Sequence, residues 1–186
     1  MPPIEPTAEH LLLQLIRLAR AQFDMRCAEA LSWDLEKSHE HVGPWAYGLY
    51  TGLAICYARP FEAGKRNPYG PLEGKWSKFS DRPDFKKHHK RLIEHRNTLL
   101  AHNDLTPHRV SLVWPDFHEG RPAILEGRSP INAVGVTEAR ELFKFQQDRF
   151  GEHAQSLAGR LQEMLGWKSG EELDLDDELR RVRLGA

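Results

Sequence analysis

The sequence predicts an all-α fold, an up-and-down bundle of four main helices with a small inserted β-hairpin. Three observations predict it. Apolar residues recur at spacings of three and four over long stretches. Thr or Pro begins these stretches, and Pro60 and Gly166 end two of them. The helical period breaks between residues 104 and 136, where apolar residues alternate instead. The length of 186 residues favours one domain spanning residues 1–186.

Composition narrows the class of protein. Apolar residues make up 40% and charged residues 28% of the chain, which is typical of a globular domain. The formal net charge of -1 gives no overall attraction to nucleic acid or anionic membranes, so such a partner would need a local basic patch. The chain has no apolar run of about 18 residues and no signal-peptide pattern at its start. We therefore expect a cytoplasmic protein without a membrane partner.

Cofactor chemistry has little support in the sequence. Cys27 and Cys56 are too few for a thiolate zinc site, and both lie in helical patterns where a reduced, buried thiol is expected. No glycine-rich phosphate-binding loop is present. We expect no cofactor.

The first two predicted helices carry different apolar patterns. The first, over residues 7–31, begins at the N-cap Thr7 and has an amphipathic stripe. The stripe comprises Leu12, Leu15, Ile16, Ala19, Phe23, Cys27 and Ala30. The second, from Pro44 to residues 59–60, is apolar nearly all round, and Gly48 and Gly52 would let another helix approach closely. We expect this helix at the centre of the bundle.

The bounds of the remaining segments are predicted from proline, glycine and helix-capping residues. Residues 64–83 form a loop in which Trp76 and Phe79 fold back onto the protein. A third helix covers residues 83–102. Residues 104–136 form the hairpin, with a turn at 116–120 and Pro122 confining the second strand to an edge. The fourth helix runs from Thr137 to Gly166, and the charged tail at 169–186 is either a docked helix or a solvated end.

The third helix is the basic segment of a nearly neutral chain. It carries six Lys or Arg residues between positions 82 and 96 against Asp84 and Glu94, and its histidines, His89 among them, can gain charge. The predicted phosphate-contacting residues are Lys86, Lys87, His88, Lys90, Arg91 and His95. The alternative is a solvated helix face without a ligand.

The histidine pattern does not predict a metal site. His88, His95 and His102 are seven residues apart, so they share a helix face, but neighbouring rings lie roughly 10 Å apart. His39 and His41 flank Glu40, but neither the helical metalloprotease spacing nor a further ligand is evident.

The third helix ends in the sequence HRNTLLAHND at residues 95–104. Arg96, the polar Asn97 and His102 in the pattern Arg-Asn-x3-Ala-His resemble the signature of the HEPN superfamily. With Asp104 two residues later, the motif is similar to that of the abortive-infection branches. The likeness covers about residues 7–166, apart from the 104–136 hairpin, which is not in the minimal family core.

The resemblance implies a homodimer in which the motif helices of two protomers form one composite RNA site. It also implies a metal-independent endoribonuclease of the toxin or phage-defence type. An antitoxin or a nucleotidyltransferase would be the partner of such a protein.

The residue types suit that chemistry. His102 can act as acid or base near neutral pH. Arg96 can support the crowded phosphate, Asn97 can orient the phosphate or the imidazole, and Asp104 is a supporting residue. Arg96 and His102 are six positions apart, about 120° off a common helix face, so a second copy of the chain would help to bring them together.

Two structural and functional alternatives stay open. Arg96 could pair with Asp104, while Asn97 caps or bridges helices and His102 packs in a core or interface. The protein would then be a non-catalytic helical module that binds RNA, a nucleotide or a partner protein. The acidic tail could also mask the basic helix within the same chain.

Overall fold

The computed structural model describes residues 6–37, 44–63, 68–97, 110–113, 123–126, 136–168, 170 and 172–185. Within these residues the fold is built from helices, and the predicted all-α class is confirmed. The helices are α1 (Ala8–Lys37), α2 (Pro44–Ala58), α3 (Pro83–Arg96), α4 (Val136–Leu165) and α5 (Leu175–Leu184). Two short strands are β1 (Val110–Val113) and β2 (Ala123–Glu126).

The helix ends follow local chemistry. Proline begins α2 and α3, where its missing N–H costs no helical hydrogen bond. Asp174 caps α5, since its Oδ1 accepts from the backbone nitrogens of Asp176 and Asp177 at 2.9 and 3.1 Å. The first helix continues six residues past the predicted end at residue 31. It does so because Leu35 is buried in a cluster with Ala46, Leu49 and Tyr50 of α2.

Side-chain contacts fix the relative direction of two helix pairs. Contacts join α1 with α2 and α4, α2 with α3, and α3 with α4. The direction of α1 and α4 follows from two pairs, in which Arg140 binds Glu36 and Gln147 binds Glu29. The same reversal relates α2 to α3, because Tyr57 meets His89 and Tyr50 meets His95. These contacts therefore show that α1 runs antiparallel to α4 and that α2 runs antiparallel to α3.

The loop between α2 and α3 is fixed to the core, as predicted. Trp76 and Phe79 are both buried. The side-chain nitrogen of Gln146, fully buried on α4, donates to the carbonyl of Trp76 at 2.9 Å. A buried amide is costly without a partner, so this bond fixes the loop against α4 as well as satisfying Gln146.

The predicted stripe of α1 is wrong at its outer edge. Phe23 is 65% exposed, and Ala19 and Ala30 are exposed as well. The core instead takes Leu18, Met25 and their neighbours, because α1 packs against both α2 and α4 and the centre of its buried face lies between these two contacts. The two glycines of α2 differ in how closely another helix approaches them. A Cβ on Gly52 would lie 3.3 Å from Leu31 Cδ1 of α1, as predicted for a close approach, whereas a Cβ on Gly48 would meet no described atom within 4 Å.

The two strands pair antiparallel, with Val110 opposite Glu126 and Val113 opposite Ala123. The predicted turn at 116–120 and Pro122 lie outside the described residues. The insertion as a whole therefore stays a prediction.

The tail contains α5, which docks on α1. Leu179 is buried there. Asp176 accepts from Tyr69 Oη at 2.7 Å and pairs with Arg20 at 3.4 Å. The acidic start of the tail thus contacts Arg20 of α1 and Tyr69, and these contacts give no support to the hypothesis that it masks α3. Over the part of the chain that is described, no helix is both long and apolar enough to cross a bilayer.

Candidate functional site

The basic helix α3 is anchored by one apolar face. Phe85, His88 and Leu92 are buried, at the three- and four-residue spacing that places side chains on one side of a helix. Phe85 packs against Phe79 and Phe145, with ring centroids 6.4 and 5.2 Å apart. This anchoring fixes which α3 side chains face solvent.

Four of the predicted RNA-contacting residues lie on the solvent side of α3. Lys86, Lys87, Lys90 and Arg91 are exposed. Lys90 makes an ion pair with Glu94 at 3.5 Å, with both side chains largely exposed, and such surface pairs contribute little free energy. Lys90 can therefore turn toward an anionic ligand at small cost. We name these four exposed cations the basic face.

His88 lies apart from the basic face. Its side chain is 7% exposed, and Nε2 lies 3.2 Å from Glu138 Oε2 on α4. Its Nδ1 is buried without a hydrogen-bond partner in the described structure. His88 therefore joins α3 to α4, which corrects its grouping with the exposed lysines.

His95 also turns inward. Its ring meets the ring of Tyr50 edge to face, with centroids 4.5 Å apart. Burial lowers the pKa of His95 below its ordinary value, which favours the neutral imidazole. The predicted role of His95 as a cationic phosphate contact is therefore not supported by its surroundings.

His89 differs most from the sequence-based expectation. Its ring is surrounded by Tyr57, Phe61 and Phe79, and its Nδ1 lies 2.8 Å from Tyr57 Oη. Burial lowers the pKa of His89 to about 4. The expectation that it gains charge near neutral pH is wrong, because its aromatic surroundings disfavour the imidazolium.

Arg96 occupies the end of α3 and is held on two sides. One guanidinium nitrogen, Nη2, lies 2.6 Å from Glu62 Oε2, and the other, Nη1, donates to Asn97 Oδ1 at 3.0 Å. The side chain of Arg96 remains 34% exposed. Burial raises the pKa of the Glu62 carboxyl, while the Arg96 guanidinium opposes this rise. Arg96 is thus oriented but still open to solvent.

Glu62 is the residue of this site that the sequence did not reveal. It follows the 3₁₀ turn Arg59–Phe61 that ends α2, and it is far from Arg96 along the chain. No motif joins the two positions. The sequence could have indicated Glu62 as a partner of Arg96 only if the antiparallel pairing of α2 with α3 had been known beforehand.

The other half of the predicted motif cannot be located. His102 and Asp104 lie outside the described residues, as do His39, Glu40 and His41. The carboxylate that pairs with Arg96 among the described residues is that of Glu62. Within the described ranges, no cluster of three His, Cys, Asp or Glu side chains could hold a metal ion.

Comparison with models of known protein families, with characterised proteins and with solved structures finds no match for this chain.

Proposed function

We propose that the protein is a metal-independent endoribonuclease of the toxin or phage-defence type. The observation that carries this proposal is the position of Arg96, which Glu62 and Asn97 orient at the end of the basic face. Lys86, Lys87, Lys90 and Arg91 would contact the RNA backbone along α3. Arg96 would then receive the phosphate at the end of that track.

The local geometry suits Arg96 to phosphate binding. A guanidinium has five N–H donors, so the contacts with Glu62 and Asn97 leave others for phosphate oxygens. A side chain that is already oriented loses less conformational freedom when its ligand arrives. Glu62 and Asn97 act here as positioning residues.

The proposed reaction is attack of a ribose 2′-hydroxyl on the adjacent phosphate, which releases the 5′-oxygen of the next nucleotide and leaves a cyclic phosphate. His102 transfers a proton in this step, and Arg96 stabilises the developing negative charge. Asp104 supports His102. The RNA itself supplies the nucleophile, so no metal-bound water is required.

A homodimer would complete the site. The six-residue spacing of Arg96 and His102 separates them around a single helix. In the proposed assembly, the end of α3 from each protomer contributes to one cleft. The antiparallel helix contacts are compatible with the four-helix up-and-down bundle that this assembly requires. An antitoxin or a nucleotidyltransferase would be the partner that restrains it in the cytoplasm.

A second function is favoured by the same ion pair. The Glu62 carboxylate already compensates the charge of Arg96 at 2.6 Å, which is what a structural arginine would show. His88, His89 and His95 have positions in the helix packing. The protein would then be a non-catalytic helical module that binds RNA, a nucleotide or a partner protein through the basic face.

The test is cleavage of a labelled structured RNA in excess EDTA by the wild type, Arg96→Ala and His102→Ala. Helicity and oligomeric state are compared first. Cleavage by the wild type alone, leaving cyclic phosphate ends, supports the ribonuclease. Binding by all three without cleavage supports the module, and the control Arg160→Ala on α4 should cleave like the wild type.

A further inference from the structure

Two thiols lie on facing sides of α1 and α2. Cys27 and Cys56 are both half-buried, and both are free. On α1, Cys27 is three residues after Asp24 and four before Leu31, so these side chains share a helix face. On α2, Cys56 is four residues after Gly52, and Arg59 follows three residues later at the start of the 3₁₀ turn that ends the helix.

Two contacts on either side fix the alignment of these faces. Asp24 Oδ1 lies 2.7 Å from Arg59 Nη1. On the other side of the two cysteines, one helical turn away, a Cβ built on Gly52 would lie 3.3 Å from Leu31 Cδ1. Antiparallel helices with equal rise keep their pairing along the interface. Three steps from the first contact, or four from the second, lead to the same pair, Cys27 opposite Cys56.

We infer that Cys27 and Cys56 form a redox-sensitive pair that peroxide converts into a disulfide between α1 and α2. A disulfide needs Cα atoms no more than roughly 7 Å apart. The absence of a side chain at Gly52, one turn away, favours such a close approach of the two backbones. The free thiols and their partial exposure give an oxidant access to at least one sulfur.

The reaction balances with hydrogen peroxide as the oxidant. The Cys27 sulfur attacks one peroxide oxygen, giving a sulfenic acid and one water. The Cys56 sulfur then attacks the Cys27 sulfur, expels the hydroxyl group as a second water, and forms the S–S bond. The two thiols lose two hydrogens in all.

The surroundings of the Cys56 sulfur explain why Cys27 is assigned the first step and Cys56 the second. Burial raises the pKa of the Cys56 thiol, Arg59 opposes this rise, and Asp24 and Cys27 add to it. The thiolate is the reactive form. Cys56 is therefore better suited to the second, intramolecular step, in which the sulfenic acid is already beside it.

The experiment uses the reduced full chain, treated with hydrogen peroxide and then alkylated. The expected product is a single chain, not covalently linked to another, that has lost two hydrogens, resists alkylation and yields a peptide joining Cys27 to Cys56. Dithiothreitol should restore both thiols. The closed loop spans 30 residues, so the oxidised form should melt roughly 5 to 10 °C higher.

A shifted thiol provides the matched control. The double variant Cys27→Ser/Ala30→Cys keeps two cysteines but moves one to an exposed position of α1, off the face toward α2. It should remain alkylatable at both thiols after the same treatment. The inference is overturned if the wild type stays fully alkylatable, gains oxygen without a link, links between molecules only, or links no faster than the shifted variant.

Discussion

Glu62 and Asn97 orient the Arg96 side chain, so changing either of them tests whether the orientation of Arg96 matters for cleavage. Glu62 is partly buried and holds Nη2, Asn97 accepts from Nη1, and the Arg96 side chain remains 34% exposed. If Arg96 stabilises a transition state, loosening it should slow the reaction more than it weakens RNA binding. If Arg96 is only structural, the same change should lower stability alone.

The first prediction concerns Glu62. Glu62→Ala should lower kcat for RNA cleavage about tenfold, with KM changed by less than about twofold, because a misplaced catalytic group costs rate. Glu62→Gln keeps an acceptor for Arg96 and should retain more of the rate. Single-turnover kinetics on protein verified as folded provides the measurement. A reduced melting temperature with an unaltered rate would contradict the positioning role.

The second prediction follows from His89. Its pKa is about 4 in the folded protein and about 6.5 when unfolded. Above pH 6.5 both states are neutral, and His89 leaves stability unchanged. As pH falls from 6.5 to 4, the unfolded state takes up the proton first, so stability decreases. Allowing for partial exposure, the loss is about 2 kcal/mol.

His89→Gln removes this titration while keeping a polar group near Tyr57 Oη. The wild type should lose more stability than this variant between pH 6.5 and 4 in urea unfolding. An NMR titration of the wild type locates the His89 pKa directly. A midpoint near 6.5 would mean that the ring is solvated, contrary to its aromatic surroundings.

The helices illustrate what local sequence patterns can and cannot predict. The bounds of α2 and α4 followed from proline, glycine and apolar spacing, all of which act within one or two turns. Phe23 was misplaced because an apolar period does not reveal which neighbours a helix has. Glu62 and the inward positions of His88 and His95 depend on long-range pairing of helices. Of the predicted RNA-contacting residues, Lys86, Lys87, Lys90 and Arg91 lie on the exposed side of α3, as a local charge pattern could suggest.

The third prediction compares two glycines of α2. Alanine is favoured over glycine in a helix by roughly 1 kcal/mol. Gly48→Ala should gain about this amount, because its new Cβ would meet no described atom within 4 Å. Gly52→Ala should gain less or lose stability, because Leu31 Cδ1 lies 3.3 Å from the added carbon. Urea unfolding at neutral pH measures both, and equal gains would show that α1 does not approach α2 closely at Gly52.

At the scale of the whole molecule, charge is divided between two surfaces. The chain is nearly neutral with a net charge of -1, yet α3 exposes four cations. The acidic residues at the start of α5 are used against α1, where Asp176 meets Arg20 and Tyr69. The acidic start of α5 therefore contacts Arg20 and Tyr69, away from the basic face.

The fourth prediction tests that division by the salt dependence of RNA binding. Replacing Lys86, Lys87 and Lys90 together with Gln should weaken binding and reduce the slope of log affinity against log salt by about 2. The matched control replaces Lys144, Arg160 and Arg180, exposed cations on α4 and α5, and should change the slope little.

Removing residues 175–186 should leave RNA affinity unchanged, since α5 docks on α1. Tighter binding by the truncated chain would instead mean that the acidic tail competes with RNA for α3. In the substitution experiment, equal effects of the two triple variants would mean that RNA binding depends only on the overall charge of the protein.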